Sequence, residues 1–223
     1  MGKTAVVTTL LVHGAGSTGA AAAELLGLGS DTVLVEDRTG DVEQVIAALE
    51  TALARHADCT ALVGVSLGAH AVARWAGAHP YPLPRIALVL PAWTGDPSAA
   101  ADATARAGRD VARDGSAAIL AGLERESPHS DVVRLLQLAW PAYSTEDLAC
   151  SLTCASQGRG PHPWELAAIS VPVAVIGWRG DAFHPDAVAH QWARHLRHST
   201  LALAARPETR LLQRALSTAP GWG

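Results

Sequence analysis

Six short apolar runs punctuate the chain: Ala5–Val12, Thr32–Glu36, Ala61–Val65, Ile86–Leu90, Val173–Gly177 and Leu201–Leu203. The first five are nearly unbroken, as expected of strands covered on both faces of a parallel sheet. Between them the apolar residues recur at helical spacing. Asp41–His56 carries Val42, Val45, Ile46 and Leu49 on one face, and Leu67–Ala78 follows the third run. Pro185–Leu196 follows the fifth run with proline in its first turn, and Glu208–Leu216 closes the chain. This alternation predicts an α/β fold, a doubly wound, mostly parallel sheet with right-handed crossovers.

One interval breaks the rhythm. Pro91–Val171 is helical in pattern, with Ala99–Arg113, Ser116–Glu126 and Asp131–Trp140 as its clearest segments and no strand. It reads as a helical cap, residues 92–170, inserted after the fourth strand of a single domain spanning 1–223. Gln157–Pro163 is a Gly/Pro loop that ends the cap.

Composition narrows the function classes. The 223 residues are 49% apolar and 17% charged, which suits one compact domain with a large core. The formal net charge is −4 with no basic tract, so nucleic acid and anionic membrane are poor partners. Lys3 is the single lysine, a bias of GC-rich coding rather than of function. Three cysteines, Cys59, Cys150 and Cys154, are too few and odd in number for a disulfide framework. They fit a reducing cytoplasm. Cys150 and Cys154 have no second ligand pair nearby and read as helical thiols, so no metal is expected. No targeting segment is visible, and no run reaches the roughly 20 apolar residues of a membrane span.

Two motifs carry candidate chemistry. Gly64-Val65-Ser66-Leu67-Gly68 joins a strand to a helix. Such a sharp turn needs small neighbours, lifts a hydroxyl above the sheet, and sets it at a helix N-terminus that favours developing negative charge. The bland reading is a turn whose serine caps the helix. His13-Gly14-Ala15-Gly16 follows the first strand. A glycine loop there can aim a backbone N–H at an oxyanion, and the Leu67 N–H supplies a second donor. The alternative, a phosphate-binding turn of a dinucleotide fold, has the wrong glycine spacing. His13 reads as loop support, together with Gly14, rather than as a base.

Taken with the helical insertion, with Leu166-Ala167-Ala168-Ile169-Ser170-Val171-Pro172-Val173 leading into a strand that ends at Gly177, and with Asp181, these motifs resemble the α/β-hydrolase superfamily, in particular its small actinobacterial-type members. The likeness runs from about Thr8 to Leu203. It implies Ser66 as nucleophile, Asp181 as triad acid, and Ala15 and Leu67 as oxyanion donors. The superfamily's first one or two antiparallel strands are not recognisable, so a sheet of about six strands is expected. The implied activity is cofactor-independent hydrolysis of a small, hydrophobic carboxylic ester or thioester. The runner-up is a lyase, isomerase, cyclase or non-catalytic binding protein that uses the same scaffold without a working triad.

The histidine departs from the superfamily pattern, which places it after the last strand. Here that loop reads Ala204-Ala205-Arg206-Pro207-Glu208, and no histidine follows His198. Topology ranks the substitutes. His198 precedes the last strand, at the wrong edge of the sheet. His190 and His195 lie along a helix leaving the site. His56 and His79 end helices at the bottom, His70 points into the core, and His129 and His162 are in the cap. His184, in Gly180-Asp181-Ala182-Phe183-His184-Pro185, alone shares a top-face loop with Asp181 and is the candidate base. Asp181 can also be read as a simple turn residue, with Asp96 as the alternative acid. Seven tryptophans against two tyrosines and one phenylalanine are unusual; Trp93 and Trp178, at strand ends, are candidate walls of an apolar substrate pocket.

Overall fold

The computed structural model describes residues 8–79 and 84–222, so Ala5–Val7 of the first predicted run lie outside the described residues. Six strands form one sheet: β1 (Thr8–Val12), β2 (Thr32–Val35), β3 (Cys59–Val65), β4 (Arg85–Val89), β5 (Val173–Trp178) and β6 (Ser199–Ala204). Their order is β2-β1-β3-β4-β5-β6, and every described pairing is parallel. β6 is longer than the apolar run Leu201–Leu203 because its ladder with β5 continues from Val173–Ser199 to Trp178–Ala204. Pairing sets its length, and Ser199 and Thr200 carry no hydrophobic signal.

Side-chain alternation divides the strands between two cores. Leu10, Val12, Leu62, Ile86, Leu88, Val173 and Val175 face α2 (Val42–Arg55), α3 (Leu67–Ala78) and α9 (Asp186–His195). Leu11, Val63, Val65, Ala87, Val89, Ala174 and Ile176 face α1 (Gly19–Leu26) and α10 (Thr209–Thr218) on the other side. Both sets are apolar because both faces are covered, which is why the strands read as unbroken runs. The predicted 41–56 helix appears, capped by a side chain at its start and by a backbone N–H at its end. Asp41 is the N-cap, accepting from the Glu43 N–H at 2.9 Å, and His56 is the C-cap.

Between β4 and β5 lie α4 (Ala99–Asp114), α5 (Ser116–Glu126), α6 (Asp131–Ala139), a 3-10 turn (Trp140–Ala142), α7 (Thr145–Gln157) and α8 (Pro163–Ala168). Helices α1, α7 and α8 go beyond the segments delineated from sequence. α4 and α7 approach closely at Gly108, where a Cβ would sit 2.8 Å from Thr153 Oγ1. Asp131 Oδ2 at the start of α6 accepts from both the Thr209 N–H and hydroxyl, each at 2.9 Å, joining the inserted helices to α10. α7 rests on the loops after β1 and β2. Gly40 has φ +76°, and a Cβ there would overlap the Ser151 carbonyl. The Tyr143 hydroxyl donates to the Ser17 carbonyl at 2.6 Å, and Arg38 Nη1 donates to the Ala142 carbonyl at 2.9 Å. No described helix is long and apolar enough to cross a membrane.

Candidate active site

The chain leaves β1 toward one edge of the sheet for β2 and returns to place β3 on the other side of β1. The carboxyl ends of β1 and β3 therefore border the crevice where open α/β sheets hold their sites. Ser66 stands at that crevice, between β3 and α3. Its φ of 55° and ψ of −117° lie outside the regions comfortable for a residue with a Cβ. The surroundings hold it there. The Ser66 N–H donates to the Val89 carbonyl at 2.9 Å, and its own carbonyl accepts from Ala69 at 2.9 Å and His70 at 3.2 Å.

The flanking glycines provide room. A Cβ on Gly64 would lie 2.7 Å from Ala69 Cα, so strand end and helix start would be forced apart. A Cβ on Gly68 would overlap the Val12 carbonyl and come within 2.8 Å of the His13 carbonyl. α3 thus abuts the end of β1, and the loop after β1 comes down on Ser66. A Cβ on Gly14 would stand 2.8 Å from Ser66 Cβ and 3.3 Å from its Oγ.

Ser66 occupies the N-cap position of α3 but makes no side-chain cap hydrogen bond. Its hydroxyl instead donates to His184 Nε2 at 2.9 Å, and His184 Nδ1–H donates to Asp181 Oδ2 at 2.7 Å. The two bonds together set the tautomer, with the proton on Nδ1. The capping alternative for Ser66 therefore does not hold. All three residues keep some exposure to solvent; the side chains of His184 and Asp181 are 18% and 13% exposed.

Acid and imidazole come from one loop, and local geometry explains how they meet. Gly180 has φ +79°, which turns the chain after β5. Asp181 Oδ1 accepts from the Phe183 N–H at 2.8 Å, a turn closed by the side chain two residues back. This folds His184 over the other carboxylate oxygen, and Pro185, the N-cap of α9, follows at once. Burial opposes charge on Asp181, but donors from His184, Trp178 and Phe183 outweigh it and hold the carboxyl well below the usual range.

The loop after β1 is fixed from behind by His13, which is 3% exposed. Its Nδ1 is 2.8 Å from the Gly14 carbonyl, and its Nε2 is 3.2 Å from Glu36 Oε2. Glu36 Oε1 accepts from the Gly19 N–H at the start of α1 at 2.8 Å. The hydrogen bond with His13 is the main reason the Glu36 carboxyl sits below its usual range. Ala15 is half-buried in this loop and Leu67 is buried at the first turn of α3. Among the described residues neither backbone N–H donates to a protein acceptor.

The other candidates fall elsewhere. Asp96 is exposed, and His129 is exposed beyond α5. His162 stacks on Trp164 with ring centres 3.9 Å apart. His70 is fully buried and its Nε2 accepts from the Ala92 and Trp93 N–H groups at 3.2 and 3.4 Å. Burial, with His184 and Arg74 adding, pushes its imidazole down to about 3. Trp93 and Trp178, read from sequence as pocket walls, are each 4% exposed. Trp93 packs edge-on against His70, and its Nε1–H donates to the Gly158 carbonyl at 3.1 Å. Trp178 packs into the α1/α10 core, and its Nε1–H donates to Asp181 Oδ2 at 2.7 Å. Sequence reasoning did not find this last contact; a tryptophan at a strand end is equally consistent with core or pocket, and only its rotamer reveals the partner. Among the described residues no cluster of His, Cys, Asp and Glu could hold a metal ion.

No family model matches the chain, and no curated protein matches it in sequence. Solved structures do match in shape. An enol-lactonase from Burkholderia xenovorans superposes with a TM-score of 0.70 at 16% identity, over 94% of this chain and 86% of that one. A thermophilic esterase from Thermogutta terrifontis gives 0.67 at 18% identity, over 93% and 85%. MenH from S. aureus gives 0.70 at 15% identity, over 95% and 90%. With six parallel strands and helices on both faces, the chain has the α/β-hydrolase fold.

Proposed function

We propose that the chain is a cofactor-independent serine hydrolase of small, apolar carboxylic esters or thioesters. The observation that carries this reading is the continuous relay from Ser66 Oγ to His184 Nε2 at 2.9 Å and from His184 Nδ1 to Asp181 Oδ2 at 2.7 Å. Nucleophile, base and orienting carboxylate are within hydrogen-bond reach in the order that acyl transfer requires. The esterase and lactonase among the structural neighbours add support.

In this reading Ser66 Oγ attacks the substrate carbonyl carbon while its proton passes to His184 Nε2. Asp181 holds the ring in place and stabilises the imidazolium. The carbonyl oxygen becomes an oxyanion between the Ala15 and Leu67 N–H groups, with the N-terminus of α3 adding to the field. Collapse breaks the bond to the alcohol or thiol, which leaves with the proton from His184. Water then attacks the acyl-serine, giving its proton to His184, and the carboxylic acid departs as Ser66 recovers that proton. Phe183, 41% exposed between the acid and the base, supports an apolar substrate at the rim.

The lyase, isomerase or binding-protein alternatives depend on a serine without a base, and the 2.9 Å contact supports hydrolysis over them. The test uses p-nitrophenyl esters of short acids and a fluorophosphonate probe. Ser66→Ala is expected to abolish both turnover and labelling, and His184→Ala to cost about 10²–10⁴-fold in kcat. A wild-type protein that neither hydrolyses any ester nor takes the label, or a Ser66→Ala variant that still turns over, defeats the reading.

A further inference from the structure

Trp178 ends β5, three residues before the acid. Its ring belongs to the buried core on the α1/α10 side of the sheet and is 4% exposed. The strand holds its backbone, since β5 pairs with β6 through Trp178 and Ala204, and the next residue, Arg179, donates to the Ala204 carbonyl at 3.1 Å. The indole N–H is therefore a fixed point of the scaffold. It is aimed at Asp181 Oδ2, 2.7 Å away, the same oxygen that accepts from His184 at 2.7 Å.

We propose that Trp178 is a positioning residue that aims the acid of the relay by pinning Asp181 Oδ2. The proposal rests on the hydrolase reading above and deepens it. It answers a need specific to this chain. Where acid and imidazole sit on different loops, two strand ends fix their relative position independently. Here both hang from the turn after β5, residues 179–185, and a rigid-body shift of that turn moves them together away from Ser66. The Phe183 N–H closes the turn from within the same segment, so it cannot anchor the turn to anything outside. The Trp178 ring, buried in the sheet's core, can. A misplacement of about 1 Å at such a relay costs up to about a hundredfold in rate.

The N–H also divides the charge on Oδ2. With two donors on one oxygen, part of the carboxylate's charge is spent on the indole, and less is left to stabilise an imidazolium on His184. Removing the indole donor therefore leaves more of the charge on Oδ2 to face the ring. The acid limb of kcat/KM, which reports the free enzyme's base, then moves to higher pH. A tryptophan that only fills space has no such effect.

The test compares Trp178→Phe with the wild type on p-nitrophenyl acetate across pH. The expected result is a fall in kcat of about ten- to a hundredfold with KM nearly unchanged, and an acid limb displaced upward. A second variant carries benzothienylalanine at 178, which replaces the N–H by sulfur and keeps the ring volume; it gives the same pattern even if the smaller phenyl ring harms folding. An acid limb that stays at its wild-type position in the benzothienyl variant overturns the proposal, whatever happens to kcat. His184→Ala separates the two levels. If it keeps full turnover, the hydrolase reading itself falls. If it loses turnover while the benzothienyl variant matches wild type, only the role of Trp178 falls.

Discussion

The backbone at Ser66 stores free energy, and the amount can be measured by two substitutions that both remove the hydroxyl. At φ 55° and ψ −117° a residue with a Cβ is strained, at a cost of about 1–3 kcal/mol. Alanine at 66 keeps that strain and loses the hydrogen bond to His184. Glycine loses the same bond and relieves the strain, at the expense of about 0.5–1 kcal/mol of extra unfolded-chain entropy. The bond to His184 cancels between the two variants, so their difference isolates the backbone. Ser66→Gly is therefore expected to be more stable than Ser66→Ala by about 1 kcal/mol, taking the middle of each range. In a domain of this size that is a rise in Tm of about 2–4 °C. Urea unfolding followed by circular dichroism measures it, with the slope checked for constancy so that the midpoint reports stability alone. The usual outcome of placing glycine in a structured turn is a loss. A Ser66→Gly protein less stable than Ser66→Ala would show that residue 66 is not held in a strained conformation, and the physical argument for a forced elbow would go with it.

Two further predictions concern packing and acid stability. Gly40→Ala is expected to cost about 2–4 kcal/mol by thermal or urea unfolding, because the positive φ and the overlap with the Ser151 carbonyl act together; a loss under about 0.5 kcal/mol would mean that α7 is not seated on that loop. His70 is neutral when folded down to about pH 3, whereas an unfolded histidine takes its proton near pH 6.5. Its folded value is depressed, so the unfolded state binds the extra proton, and the stability it contributes is complete above about pH 6.5 and declines as pH falls toward 3. His70→Gln keeps an acceptor for the Ala92 and Trp93 amides without titrating. Its stability should fall less than wild type between pH 7 and pH 4, by up to about 3 kcal/mol in urea titrations; parallel curves would refute the assignment.

Much of the sheet can be read from the sequence because burial on both faces leaves β1, β3, β4 and β5 as apolar runs with little else in them. The elements that escaped have the opposite character. α1 reads Gly-Ala-Ala-Ala-Ala-Glu-Leu-Leu, and α7 is built largely of Ala, Ser, Thr and Cys. Small residues blur the contrast between apolar and polar faces on which periodicity depends. Yet smallness is what α7 needs, since it packs against Gly108 of α4 and over Gly16 and Gly40. For the site, the glycines around Ser66 were informative because their role is steric and local. His184 could be selected by exclusion, since the direction of each strand decides which histidines reach the upper edge. The Trp178 contact was not accessible in that way. The choice between an indole facing a cavity and one facing a carboxylate is made by a side-chain torsion and by a turn closed at Gly180 and Asp181, and neither is visible in spacing.

The short span from Trp178 to Pro185 gives the molecule an unusual economy. On the proposed reading, both groups that handle the proton belong to a single octapeptide, so a displacement of its turn, residues 179–185, silences them together and leaves Ser66 and its neighbouring amides standing. A transplant of the octapeptide onto another sheet of this kind would carry the whole proton-handling apparatus as one piece.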